Sequence, residues 1–275
     1  MKISEQWLRT WVNPDISTEE MCDQLTMAGL EIDSVDPVAG AFNNVVVARV
    51  VSLEKHPDAD KLNVCQVTDG KETLQIVCGA ANVREGLIIP LAKIGAVLPG
   101  DFKIKPAKLR GVESSGMLCS EKELGLADQA DGLMELPEDA PIGTDVREYL
   151  ELNDNCIEID LTPNRGDCLS IAGVARELGT LNECDVTAEV CAPVVANSDA
   201  SFPVEILATE VCSHYAGRVI TGIDCAVKTP IWMLESLRRS GIRGLGPIVD
   251  ITNYVMLELG QPMHAFDLAT LDAGI

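Results

Sequence analysis

The sequence predicts a multidomain α+β chain in which a small closed β-barrel lies between helical segments. Three observations predict it. Apolar residues recur at helical spacing before residue 39 and after residue 148, while short runs between them alternate with period two and are separated by Gly turns. Charge is uneven: of a net −22 over 275 residues, 1–39 carry −6, 40–147 carry −4 and 148–275 carry −12. The length suits two or three domains, and a hydrophobic content of 47% is ample for their cores.

The elements follow in order. Residues 3–12 predict a short helix with Trp7, Leu8 and Trp11 on one face. Ser17-Thr18-Glu19-Glu20 is a capping box opening a second helix, with Met21, Leu25 and Ala28 on its stripe and Gly29 ending it. Pro37 to Asn44 reads as a linker. From Val45 the period changes. Residues 45–51, 62–67 and 73–78 predict strands with Asp69-Gly70 as a turn, and 87–91 and 102–109 predict two more. Five short strands within about 100 residues fit a closed barrel of the OB type. Residues 157–161 predict a strand, and Asp167 is placed to cap a helix bearing Ile171, Val174, Ala175, Leu178 and Leu181. Residues 186–201 read as a second linker. Strands are expected over 204–207 and 215–223, a helix from Thr229 (N-cap) and Pro230 (N1) to Gly241, and another over 250–259. The stretch Leu271–Ile275 reads as a last domain cut mid-fold.

Composition excludes several classes. A pI near 4.4 repels polyanions at long range, so contact with a nucleic acid needs a local basic patch. Residues 93–110 supply one: Lys93, Lys103, Lys105, Lys108 and Arg110 against the single acid Asp101. Ten cysteines occur without a Cys-x-x-Cys pair, and with three histidines they read as reduced, buried thiols rather than a zinc site. The N-terminus lacks the apolar core of a signal peptide. The longest apolar run, Leu87 to Leu98, is broken by Pro90 and Lys93 and is too short to span a bilayer. No phosphate loop, dinucleotide fingerprint or Ser/His/Asp arrangement is present.

Three constellations carry the chemistry. His56-Pro57-Asp58-Ala59-Asp60-Lys61 is a loop in which Asp58 and Asp60 can close Asx turns; its ordinary role is to hold that turn, with metal binding a minor alternative. Residues 103–110 alternate charged and apolar side chains, so one strand face would be basic. Lys103, Lys105 and Arg110 there suit phosphates, while the plain alternative is a solvated face. Only Phe42 and Phe102 are aromatic in this region, which favours recognition of RNA shape and backbone over base stacking. The turn between Gly111 and Gly116 admits either a close ligand or simply a tight bend. Last, Asn253, Gln261, His264 and Asp267 could form the polar end of a pocket beside an apolar helix.

The blocks His56–Leu62, Ile76-Val77-Cys78-Gly79-Ala80-Ala81-Asn82-Val83 and Lys103–Ser120, in that order, resemble the tRNA-binding OB-fold module of several tRNA synthetases and free tRNA-binding proteins. With Thr26-Met27-Ala28-Gly29-Leu30-Glu31, Asp160–Leu169, Val249–Tyr254 and the His264 segment, the order resembles the N-terminal part of a bacterial phenylalanyl-tRNA synthetase β subunit over essentially the whole chain.

The resemblance implies a layout. An OB-fold module over 40–147 is inserted in a discontinuous helical (α/β) domain of 1–39 plus 148–195, and the start of an α/β editing domain follows over 203–275. It implies tRNA(Phe) and an α subunit as partners in a cytoplasmic α2β2 heterotetramer. ATP and magnesium are then used by the α subunit, with no cofactor in this chain. It further implies hydrolysis of mischarged tyrosyl-tRNA(Phe), because a pocket shaped for phenylalanine cannot strongly reject an added hydroxyl. Positions matching Asn253, Gln261 and His264 then lie at or near the editing site, where His264 would orient water or the terminal ribose. Lys103, Lys105, Lys108, Arg110 and, toward the tRNA end, Arg243 would contact tRNA. Alone, the chain is expected neither to aminoacylate nor to edit efficiently. A non-catalytic tRNA-binding protein fused to an interaction domain is the alternative, and a structural subunit whose barrel binds protein is the third reading.

Overall fold

The computed structural model describes residues 1–187, 191–272 and 274–275. The expected linker 186–201 and the closing stretch 271–275 therefore fall partly outside the described residues. The chain is mixed α and β with antiparallel strands, and divides into two compact units: Met1–Asp33 with Glu158–Ile275, and Ser34–Ile157.

The first unit opens with β1 (Lys2–Ser4), not with a helix from residue 3; α1 covers Glu5–Trp11. The Met1 carbonyl accepts the Ile159 N–H, so the first residues are held extended, and the Ser4 hydroxyl caps α1 by accepting the Trp7 N–H. Trp7, Leu8 and Trp11 are buried as expected. Helix α2 (Thr18–Met27) starts at the Ser17–Glu20 capping box and buries Met21 and Leu25. Gly29 turns it at a φ of +89°, which only glycine adopts freely. Strand β2 (Glu31–Pro37) then leads into the second unit.

That unit is built on β3 (Asn43–Lys55), β4 (Asn63–Thr68), β5 (Thr73–Cys78), β6 (Ile88–Leu98), β7 (Phe102–Lys103), β8 (Ala107–Leu109), β9 (Val112–Ser114) and β10 (Gly116–Leu118), followed by the one-turn helix α3 (Val146–Tyr149). One antiparallel sheet runs β10-β6-β3-β4-β5 with β7 on β6; β8 and β9 form a separate hairpin. Bulges in β3 after Asn43 and Val50 bend the sheet. Its edges meet, because the Ser115 N–H donates to the Gln75 carbonyl at 2.8 Å. Ala48, Cys65, Val67, Ile76, Ile89 and Leu91 fill the interior. The apolar run around Pro90 is thus strand β6, and among the described residues no helix is long and apolar enough to cross a membrane.

Strand β11 (Asn155–Asp160) returns the chain to the first unit, where a three-stranded sheet has the order β1-β11-β2. A 3-10 turn, Pro163–Cys168, precedes α4 (Ile171–Asn182). The cap of α4 is Ser170, whose hydroxyl accepts the Gly173 N–H, and not Asp167. Asp167 instead faces Arg165, which also bonds Glu177 and the Ala28 carbonyl. Helices α5 (Ile231–Arg239) and α6 (Pro247–Leu259) complete the unit. Thr229 does not cap α5: its hydroxyl donates to the buried Asp250 carboxylate, which also accepts the Leu245 and Gly246 N–H groups. Tyr254 of α6 stacks on Trp7 at 4.7 Å and meets Trp232 edge-on at 5.3 Å. The strands expected over 204–207 and 215–223 do not form: Glu205 and Pro203 exchange backbone hydrogen bonds with Ile275, but among the described residues neither stretch joins a sheet.

All ten cysteines are free thiols. Burial pushes Cys65 up to about 11 and Cys119 up to about 12, so both are protonated and unreactive near neutrality.

Candidate nucleic-acid interface

The basic segment is not one strand. Residues 102–103 pair with β6 and the pairing extends through Ile104, whose N–H donates to the Ala96 carbonyl. Pro106 then removes a donor and the chain leaves the sheet. It re-forms as the β8–β9 hairpin, where Lys108 faces Glu113 and Leu109 faces Val112. The loop between them is Arg110-Gly111, with φ of +44° and +90°. Two loop residues with positive φ are the signature of a type I′ turn, a place usually taken by Asn or Gly. For arginine the left-handed backbone costs about 1 kcal/mol.

This geometry separates the cations by environment. Lys103 and Lys105 flank the buried Ile104 and are exposed, as are Lys108 and Arg110. Among the described residues no carboxylate lies within ion-pair distance of Lys103, Lys105 or Arg110. Lys108 has the Glu113 carboxylate at 3.5 Å, a fully solvated pair of little strength. Lys93, part of the same sequence segment, is withdrawn: its ammonium bonds Asp69 at 2.7 Å and Glu72 at 2.6 Å. Those contacts raise its pKa and hold the Asp69 carboxyl well below the usual carboxylate range. Arg84 is likewise engaged by Glu135, and Arg147 lies 4.9 Å over the Phe42 ring while donating to the Gly40 carbonyl. Phe42 is therefore not a stacking platform, and Phe102 is exposed.

The His56 loop holds more than its own turn. The imidazole is 4% exposed; Nδ1 accepts the Asp58 N–H at 3.0 Å, and Nε2 lies 3.0 Å from the Leu109 carbonyl in β8. Both ring nitrogens are thus committed to peptide groups, and among the described residues no cluster of three His, Cys, Asp or Glu side chains is placed to hold a metal. At its base, the hairpin is fixed by the Gln75 amide donating to the Glu113 carbonyl and by the Ser114 hydroxyl accepting the Val77 N–H. Sequence reading missed Gln75 and Ser114 because their partners lie 37–38 residues away. The 111–116 turn has a structural use: a Cβ on Gly116 would stand 2.8 Å from the Ala92 carbonyl oxygen.

The other predicted site residues lie on α6 and on the irregular segments beside it. Asn253 is half-buried on α6, while Gln261 and His264 are exposed in the irregular segment that follows. Among the described residues the Gln261 amide reaches only the Pro262 carbonyl, and His264 lies 6.1 Å from Phe266, ring to ring. No hydrogen bond among the described residues joins Asn253, Gln261 and His264, and Asp267 caps the turn at 268–270. Arg243 is exposed in the α5–α6 connection.

Comparison with known proteins finds two family matches and a set of similar chains. Residues 45–145 match the family described as "Putative tRNA binding domain", and residues 211–275 match the B3/4 domain. The chain is 62% identical over its full length to the "Phenylalanine--tRNA ligase beta subunit" of Pseudomonas savastanoi pv. phaseolicola, and 60% identical to that of Idiomarina loihiensis, covering 35% of each. Among solved structures, a MetRS related protein from Pyrococcus horikoshii is 31% identical, covering 37% of this chain and 87% of that one, with a TM-score of 0.29. The chain spans about a third of the length of the curated relatives it matches. Over all 275 residues, then, the chain is similar to part of the phenylalanine--tRNA ligase beta subunits.

Proposed function

We propose that this chain is the tRNA-binding and editing-scaffold part of a phenylalanine--tRNA ligase beta subunit. In this reading 40–147 is an OB-fold barrel inserted in a discontinuous domain of 1–39 plus 148–195, and 203–275 is the N-terminal part of an editing domain. Lys103, Lys105, Lys108 and Arg110 meet phosphates of tRNA(Phe), and Arg243 approaches the tRNA end. Asn253, Gln261 and His264 contribute to an editing pocket that hydrolyses tyrosyl-tRNA(Phe), His264 orienting water or the terminal ribose. The partner is an α subunit in a cytoplasmic α2β2 assembly, which supplies the ATP- and magnesium-dependent aminoacylation; the described residues offer no ligand cluster for that metal.

The observation that carries the reading is the set of exposed cations free of carboxylates, Lys103, Lys105 and Arg110, within a segment that matches a tRNA-binding family. On a chain of net charge −22, cations without partners are the groups able to release counterions from RNA. The experiment is a titration of the chain with tRNA(Phe) at low and at physiological salt, for the wild type and for Lys103→Glu plus Lys105→Glu. Saturable binding that weakens steeply with salt, and a charge-reversed variant whose salt slope drops by about 2, support it. Unaltered affinity in the variant moves the RNA surface elsewhere. A non-catalytic tRNA-binding role is the second reading, favoured by the exposure of Gln261 and His264 and by the lack, among the described residues, of a hydrogen bond joining them to Asn253.

A further inference from the structure

Resting on that reading, we propose that His56 is a positioning residue for Arg110, a buried pin that aims the tip of the β8–β9 hairpin at an RNA phosphate. The hairpin is short and its first arm is exposed throughout, and an isolated two-stranded ribbon is marginal in water. Its base is rooted on β5 through Gln75, Val77 and Ser115. At the tip the situation differs. Among the described residues, the bond from His56 Nε2 to the Leu109 carbonyl is the one hydrogen bond that reaches residues 107–111 from outside the hairpin.

The chemistry of the ring makes that bond directional. Because Nδ1 accepts the Asp58 N–H, the neutral ring carries its proton on Nε2 and donates it to Leu109. Leu109 immediately precedes the Arg110-Gly111 turn. The imidazole therefore fixes the peptide from which the arginine projects. The turn itself holds arginine where asparagine or glycine would sit without strain, so Arg110 is not there for the turn's sake. A guanidinium without a carboxylate, on a pinned peptide, loses less freedom when it meets a phosphate.

The test is a double-mutant cycle in the whole chain, read as tRNA(Phe) affinity over a range of salt. His56→Asn keeps an oxygen where Nδ1 sits, so it still accepts the Asp58 N–H, but it is too short to reach Leu109. Arg110→Asn keeps the turn and removes the charge. Each single variant is expected to weaken binding about fivefold at low salt and to lower the salt slope by about 1. The double variant is expected to bind no worse than Arg110→Asn alone, because His56 acts through Arg110. His56→Gln, whose amide can reach Leu109, should return to within about twofold of the wild type. A His56→Asn variant that binds like the wild type, or losses that multiply in the double variant, overturn the proposal while leaving the tRNA reading intact. No salt-dependent binding by the wild type, or none lost in Arg110→Asn, overturns the underlying assignment and the proposal with it. Should His56→Asn not fold, nitrogen-15 spectra of the wild type decide: tRNA(Phe) must shift the His56 Nε2 resonance together with the Arg110 and Gly111 amides, and a silent imidazole refutes the pin.

Discussion

Replacing Asp69 by asparagine removes one charge from a three-membered cluster and leaves its shape. In the wild type, Asp69 sits 4% exposed in the β4–β5 turn and accepts the Lys93 ammonium at 2.7 Å and the Lys71 and Glu72 N–H groups at 3.0 and 2.9 Å. Asparagine keeps an oxygen for the two N–H groups and loses the anion facing Lys93. A buried charge-assisted hydrogen bond contributes roughly 1.5–3 kcal/mol. Glu72 stays at 2.6 Å from Lys93 but is half exposed, so it compensates by only about 0.5 kcal/mol. The expected loss is about 2 kcal/mol, or a fall of about 6–10 °C in the midpoint of this unit.

Urea unfolding across pH isolates the cause. The Asp69 carboxyl is held low by Lys93 first, then by the two backbone N–H groups. A folded-state value below the unfolded one means stability fully present above the unfolded value, near 4, and lost as pH falls toward the folded value. The gap between wild type and Asp69→Asn should therefore be constant from pH 5 to 8 and shrink by about 1 kcal/mol at pH 3. A gap under about 0.5 kcal/mol at pH 7, or one undiminished at pH 3, refutes the electrostatic account.

Two further outcomes are expected. Gly143→Ala should destabilise the same unit by about 2 kcal/mol in urea, because φ is +89° there and the new Cβ would stand 2.7 Å from the Asp69 carbonyl oxygen, a backbone atom with no room to yield. In a full-length beta subunit assembled with its α partner, His264→Ala should slow tyrosine release from tyrosyl-tRNA(Phe) by about tenfold or more; an unchanged rate would remove His264 from the editing pocket.

Legibility followed the range of each interaction. The Ser17–Glu20 capping box, the Asp69-Gly70 turn and the Gly29 and Gly241 helix ends were readable, because each closes within a few residues. Errors arose where a distant partner competed. Residues 2–4 are extended and not helical because Met1 pairs with Ile159. Thr229 leaves its cap position for Asp250, and Asp167 leaves its own for Arg165. The single strand expected over 102–109 breaks at Pro106, a signal that was present but outweighed by the alternation of charge.

By itself, then, the sequence determined that short strands lie between helical segments, and that the cations cluster in residues 93–110. Composition, period and motif order are local properties and survive without coordinates. Only the tertiary structure decided which of those cations are free. Lys93 lies in the same basic run as Lys103, yet packing brings it against Asp69 and Glu72, 24 and 21 residues away in the chain. The same holds for His56, whose partner is a carbonyl 53 residues on. A hydrogen bond of 3 Å is blind to sequence distance, and closing such a loop depends on the strands that carry both ends.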